Sequence, residues 1–111
     1  MGLFSKKNIE VNEEKVDIFV NWFIQNQERI KESTTNPLIM MKVLDEVEDQ
    51  LALIYRDGFK GDIEFNYGGD EDEWNLFLFH LNNKFLMKAT ELIATKLNSN
   101  PSCSFHVYID E

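Results

Sequence analysis

The spacing of apolar residues first changes near Gly58–Gly61, and that change limits the folds open to this chain. Before this point, apolar residues recur every three or four positions, which is typical of amphipathic helices. After it, apolar and polar residues alternate over 62–67, and 74–80 is a short run rich in aromatic and branched apolar residues, both of which are typical of β-strands. The chain has 111 residues, which is the size of one domain. The pattern therefore predicts an α+β fold in which two helices precede the first strand.

The two N-terminal helices are joined by a short break. The first is predicted over Glu13–Ser33, with Asn12 as its N-cap. The second is predicted from Pro37, a residue that suits the first helical position, to about Asp57. Gly58 follows, where a left-handed C-cap is expected. Because the link is short, we expect the two helices to form an antiparallel hairpin.

The first two strands are predicted at Asp62–Tyr67 and Trp74–His80, with a polar turn between them that carries two glycines. If Tyr67 faces Trp74 across this hairpin, the alternate apolar residues of both strands share one side of the sheet. In that register Phe65 faces Leu76, and Ile63 faces Leu78.

A third helix is predicted from Lys84 to about Leu97, and a last strand over Cys103–Ile109. A strand–helix–strand step is almost always a right-handed crossover, so the last strand should run parallel to the second. The predicted fold is thus α+β: an N-terminal antiparallel helix hairpin followed by a β-β-α-β unit with a small three-stranded mixed sheet. Residues 1–111 form a single domain, and residues 1–11 are predicted to be a flexible tail.

The charge balance excludes some classes of partner. Acidic residues number 20 against 11 basic ones, for a net charge of -9 at pH 7. A protein that binds the phosphate backbone needs a basic patch, so we expect no nucleic-acid partner. No apolar run approaches the ~18 residues of a membrane span, and the first residues lack the pattern of a secretory signal. The sequence therefore predicts a cytoplasmic protein that does not contact a membrane.

Catalytic and metal-binding patterns are weak, and we predict no catalytic residue, no metal ion and no cofactor. Cys103 and His106 are the residue types of a thiolate nucleophile and its base, but alternation along a strand points them to opposite faces. His80 and His106 could meet with Glu64 between them, although zinc needs three or four ligands and the spacing does not require such a site. A small enzyme that uses His80 or His106 with a carboxylate stays open as an alternative.

The acidic turn at 70–73 has the composition of a calcium loop. Its spacing does not fit, because Asn75 and Leu81 occupy the positions at which an EF-hand needs Gly and Glu. We interpret the turn as a solvated hairpin tip.

The second face of the sheet carries aromatic residues where a solvent-facing sheet usually carries polar ones. In the predicted alternation Phe77 and Phe79 share this face, with His106 and Tyr108 of the last strand beside them. Either a helix covers this face, or the aromatic side chains are exposed for a partner. The sequence leaves both alternatives open.

Three segments carry a resemblance to known proteins. They are 62–68 (DIEFNYG), 74–78 (WNLFL) and 83–85 (NKF), the last opening a helix. This pattern is similar to small acidic bacterial α+β proteins of unassigned function, and several such proteins act as immunity proteins that neutralise a toxin. The resemblance covers about residues 62–109 and implies a bacterial toxin inhibitor, without assigning a functional residue.

The sequence thus predicts a non-enzymatic protein-interaction module that binds a basic protein partner through charge steering and aromatic anchors. The residues predicted to contact the partner are Phe77, Phe79 and Tyr108 as anchors, His106 beside them, and Asp70, Glu71, Asp72 and Glu73 as an acidic rim. One alternative is a homodimer that pairs through the aromatic face or through the edge of the last strand. The other is a small enzyme or ligand-binding domain.

Overall fold

The structure is a computed structural model, and it describes residues 10–111. Its elements are α1 (Glu13–Ser33), α2 (Pro37–Tyr55), β1 (Phe65–Gly69), β2 (Trp74–Phe79), α3 (Lys84–Asn98) and β3 (Phe105–Asp110). This order confirms the α+β fold with its helix pair and β-β-α-β unit. Most of the predicted tail at 1–11 lies outside the described residues, and Val11 packs partly buried against the core.

Side-chain caps start all three helices. Asn12, Asn36 and Asn83 each accept a hydrogen bond from a backbone N–H of the first helical turn, at 3.0–3.2 Å. Each bond satisfies one of the donors that a helix start leaves without a partner. These asparagines therefore set the helix starts that the sequence predicts.

The end of α2 differs from the prediction. Arg56 is the C-cap, with a right-handed φ of -69°, and no glycine in the described part of the chain has a positive φ. The prediction that Gly58 is a left-handed C-cap is therefore wrong. Position 58 suits a glycine for another reason: a Cβ built on Gly58 would overlap the ring of Phe85, which packs against this backbone.

The sheet has the order β1-β2-β3, with β1 antiparallel and β3 parallel to the central strand. The parallel crossover is confirmed, but the predicted hairpin register is wrong by two residues. Tyr67 pairs with Leu76, and Phe65 pairs with Leu78, because the two glycines belong to β1 and not to the turn. Since the error is an even number of residues, every side chain keeps its predicted face.

All three helices lie on one face of the sheet. Leu76, Leu78, Phe105 and Val107 point into this side and are buried. The ring of Phe23 from α1 meets the ring of Phe105 edge-on, with centroids 5.0 Å apart. The second face has no helix over it in the part of the chain that the structure describes, as the exposed side chains of β3 show.

Ion pairs fasten the helices to one another. Arg29 of α1 donates two hydrogen bonds to the carboxylate of Glu46 on α2, at 2.6 Å and 2.9 Å. These bonds lower the pKa of Glu46. Among residues 10–111, no helix is both long enough and apolar enough to cross a membrane.

Candidate interaction surface

The second face of the sheet, called the open face below, is formed by alternate residues of the three strands. Its members are Asn66 and Gly68 from β1, Asn75, Phe77 and Phe79 from β2, and His106, Tyr108 and Asp110 from β3. The strand register places them in rows across the sheet: Gly68–Asn75–His106, then Asn66–Phe77–Tyr108, then Phe79–Asp110. The face therefore has an aromatic centre and polar or acidic ends.

Three of the predicted partner-binding residues form one cluster. Phe77 and Tyr108 stack with centroids 5.4 Å apart and planes 17° apart, and the His106 ring lies 4.4 Å from that of Tyr108. Tyr108 is 43% exposed. Of the two alternatives left by the sequence, a covering helix or an exposed aromatic surface, the described residues have the second.

Phe79 lies on the same face, two residues further along β2. It lines a shallow depression together with Asp62, Glu64 and Leu81. Its partner across the sheet is Asp110. Three carboxylates thus surround this end of the aromatic cluster. Strand alternation predicts Glu64 on this face, whereas Asp62 and Asp110 were not predicted as part of the surface. Asp110 follows the predicted end of the last strand by one residue, and continuing the alternation would have placed it there.

The predicted acidic rim at 70–73 forms the tip of the β1–β2 hairpin. Asp70 Oδ1 accepts hydrogen bonds from the backbone N–H groups of Asp72 and Glu73, at 3.0 Å and 3.2 Å. The Asp70 carboxylate therefore shapes the turn, as Asp side chains commonly do. The other three carboxylates are exposed and stand beyond the row that ends in His106.

The histidines do not assemble into a shared site. His106 lies opposite Asn75, whereas His80 follows the far end of β2. His80 Nδ1 accepts a hydrogen bond from Asn82 N at 3.0 Å, in a link where Asn82 has a positive φ of 58°. Within residues 10–111, no group of three or more His, Cys, Asp or Glu side chains is placed to hold a metal ion.

Cys103 is also apart from His106. It is half-buried against the helix-covered core, and its thiol donates a hydrogen bond to Phe105 O at 3.4 Å. Burial raises the pKa of the Cys103 thiol. Reactive cysteines usually have a lowered pKa, so neither the position of Cys103 nor the direction of this shift supports a thiolate nucleophile here.

The outer edge of β3 is occupied by side-chain amides. Asn98 Oδ1 accepts a hydrogen bond from Val107 N at 2.8 Å, and its Nδ2 donates to Val107 O at 3.0 Å. Gln27 Oε1 accepts from Ser104 N at 2.9 Å, and its Nε2 donates to Ser102 O at 2.7 Å. These two amides occupy the edge at Val107 and just before the strand, where part of a fourth strand would pair.

Within residues 10–111, no side chain from a helix covers the outer edge of β1. Asp70 N donates to Glu73 O, which makes this a hydrogen-bonded pair and places the backbone of the alternate residues Asn66 and Gly68 toward β2. The N–H and C=O groups of Phe65, Tyr67 and Gly69 therefore point outward. Tyr67 N donates to Asn66 Oδ1 of its own strand, at 2.9 Å. No other described element pairs with this edge.

No family model, curated protein or solved structure matches the chain. The resemblance to small acidic bacterial proteins therefore stays a prediction.

Proposed function

We propose that this protein is a non-enzymatic interaction module whose open face binds a basic protein partner. The observation that supports this is the stacked pair of Phe77 and Tyr108, with their centroids 5.4 Å apart on a face that no described helix covers. Aromatic side chains are enriched at the centres of protein interfaces, where they act as anchors. A face that only met water would instead carry polar residues.

The charge of the molecule favours a basic partner. The net charge is -9, and acidic side chains stand at both ends of the aromatic cluster. Such a field attracts a basic protein over several ångströms and orients it before contact. It also opposes the alternative homodimer, since two copies would bring their own acidic ends together.

An unsatisfied polar atom on the open face supports contact with a donor. Asn75 Oδ1 is buried between its neighbours and has no hydrogen-bond partner among the described residues. Buried polar atoms in proteins nearly always have a partner. A Lys or Arg side chain of a bound protein would supply the missing donor after a small rotation of the Asn75 amide.

Within this proposal, the partner is a basic toxin and the protein is its cytoplasmic inhibitor in a bacterium. The support is the resemblance of segments 62–68, 74–78 and 83–85 to small acidic proteins that include immunity proteins. Binding alone inhibits such a toxin when it covers the toxin's working surface, so the mechanism needs no catalytic group on this chain.

Affinity capture with matched variants tests the proposal. The immobilised wild-type protein, the Phe77→Ala/Tyr108→Ala variant and a Met41→Ala control would each be exposed to lysate of the source organism at low salt. Met41 is 67% exposed on α2, away from the open face. We expect one basic protein on the wild type and the control, released by high salt, and its loss from the double variant.

The same retained proteins on all three columns would contradict the proposal. Circular dichroism of the double variant is the folding control, because both rings are partly exposed and their removal should leave the fold intact. Light scattering separates the alternative: a dimer of the wild type that the double variant loses would favour self-association instead.

A further inference from the structure

A groove runs along the outer edge of β1, between this strand and the ends of α1 and α2. Two depressions form it, and both are lined by Thr34. The first, of about 220 Å³, is lined by Met40, Leu44 and Tyr67, among others. The second, of about 550 Å³, lies toward the hairpin tip and includes Gly69 and Trp74. We call these two depressions together the edge groove.

Unpaired backbone runs beside the edge groove. The N–H and C=O groups of Phe65, Tyr67 and Gly69 point away from β2, as the pairing of the two strands requires, and Tyr67 and Gly69 line the groove. An exposed strand edge of this kind is a template for another extended chain. The bond from Tyr67 N to Asn66 Oδ1 leaves the carbonyl groups free, and it is broken by one rotation of the Asn66 side chain.

The two ends of the groove differ in chemistry. The end beside Tyr67 has the apolar side chains of Met40 and Leu44. The end beside Gly69 is acidic and is lined by the carboxylates of Glu28, Glu32, Asp70 and Glu71. Lys31 is the basic residue lining this end, with its ammonium 3.3 Å from Glu28 and 5.7 Å from the centre of the Trp74 ring. Acidic groups therefore exceed basic ones there by three.

Charge argues against a second copy of this chain in the groove. Two β1 strands paired antiparallel about Tyr67 would place Glu64 of each copy opposite Asp70 of the other. Like charges directly opposite one another destabilise a strand pair. The net charge of -9 on each copy adds to the repulsion.

We propose that the edge groove binds an extended segment of another protein by β-strand addition to β1. Alternate residues of an added strand point to the same side, so the segment places an apolar residue beside Tyr67 and a Lys or Arg two positions away in the acidic end. This site lies at the edge of the sheet, apart from the aromatic cluster of the open face, although Asp70 and Glu71 of the hairpin tip stand beside both. It rests on the same premise as the proposed function, that the ligand is a protein.

A synthetic peptide tests the proposal directly. The probe is acetyl-Thr-Lys-Thr-Val-Thr-Lys-Thr-amide, in which a Lys stands two positions from the Val on either side, so that both strand directions are served. We expect millimolar peptide to slow hydrogen exchange of the outward amides of Phe65, Tyr67 and Gly69, with saturable shifts in their NMR signals. No protection of these amides at saturating peptide concentrations would overturn the proposal.

Two control peptides separate strand addition from loose attraction. The same sequence N-methylated at every residue cannot donate hydrogen bonds to β1 in either strand direction, and a version with Glu in place of Lys should be repelled. Equal binding of the N-methylated peptide would show that backbone pairing is not involved, and would also overturn the proposal.

Protein variants locate the site. Glu32→Lys/Glu71→Lys should weaken peptide binding by about threefold to tenfold, because the peptide Lys in the acidic end then meets two positive charges in place of two exposed carboxylates. The control Glu14→Lys/Glu91→Lys changes the net charge equally at the far side of the molecule and should bind as the wild type does. Equal weakening by both variants would assign the binding to net charge alone.

The Phe77→Ala/Tyr108→Ala variant distinguishes the two proposals. It should bind the peptide as the wild type does, because neither Phe77 nor Tyr108 lines the groove. If the peptide does not bind the wild type, while the double variant still fails to retain the partner in affinity capture, the strand-addition site is wrong and the open-face proposal stands. The reverse result removes the open-face proposal alone.

Discussion

The two outer strands of the sheet each have a backbone edge that no other strand pairs with, and the two edges differ in the side chains that cover them. On β3, Asn98 occupies both outward backbone groups of Val107, and Gln27 holds the segment just before the strand. On β1, the outward groups of three residues have no backbone partner in the part of the chain that the structure describes. Proteins commonly protect strand edges because these edges recruit other chains. Side chains from two helices thus cover the β3 edge at Val107 and just before the strand, whereas the β1 edge is met only by the amide of its own Asn66.

The largest expected effect is on the closed edge, at Asn98. Asn98→Ala leaves Val107 N and Val107 O without partners, and we expect it to lower the free energy of unfolding by about 2 kcal/mol, since each such hydrogen bond is worth about 1 kcal/mol. Urea denaturation measures this change. The adjacent Ser99→Ala is the control and should stay within about 0.5 kcal/mol of the wild type. A loss as small as that of the control would mean that the amide does not close this edge.

Gln27→Ala should have about half that effect. Its amide bonds lie at the exposed start of β3, where water replaces them in the variant, so we expect a loss of about 1 kcal/mol. The same denaturation experiment measures it. Gln25→Ala on the exposed side of α1 is the matched control, and a result equal to that control would restrict the closed edge to Asn98.

Substitution of Gly68 on β1 should raise the free energy of unfolding, whereas the two substitutions above lower it. A Cβ added to Gly68 meets no atom within 4 Å, so Gly68→Ala removes backbone freedom from the unfolded chain without a clash. We expect it to raise the free energy of unfolding by about 0.5 kcal/mol. Gly69→Ala should destabilise the protein, because its Cβ would overlap Glu73 O. If both variants destabilise, Gly68 has a role within the free protein that its open surroundings do not reveal.

The smallest expected effect concerns reactivity at the closed edge. The pKa of the Cys103 thiol is raised by burial, so the reactive thiolate forms at a higher pH in the folded protein than in the unfolded one. Alkylation by iodoacetamide at pH 8 should be several-fold slower in the native protein than in urea, and its rate should rise at a higher pH. Equal rates in both states would show that the segment before β3 opens freely.

Much of the fold could be predicted because it rests on local patterns. The bounds of α1 follow from its cap and its helical spacing, and they agree with the structure from Glu13 to Ser33. The hairpin register could not be predicted, because glycines favour a turn in sequence terms while tertiary pairing drew Gly68 and Gly69 into β1. The face of each strand residue survived this error, since an even shift preserves alternation.

The candidate site was partly predictable for the same reason. Alternation alone brings Phe77, Tyr108 and His106 to one face. Asn98 and Gln27 carry no comparable signal, because an amide that closes a strand edge looks in sequence like any polar helix residue. The edge groove was equally hidden, since it depends on where the ends of α1 and α2 stand relative to β1.

The two amides that close β3 also differ in how far along the chain they reach. Asn98 and Val107 are 9 residues apart, whereas Gln27 and Ser104 are 77 apart. Short loops close at little entropic cost, so we expect the bonds of Asn98 to form early in folding and those of Gln27 late. Asn98→Ala should then slow folding, while Gln27→Ala should mainly speed unfolding. Stopped-flow kinetics measures both rates, and slower folding of the Gln27 variant alone would contradict this order. If the bonds of Asn98 form first, the edge of β3 is covered in two stages. Asn98, a neighbour in sequence, bonds to the strand first, and Gln27 from the N-terminal helix bonds later.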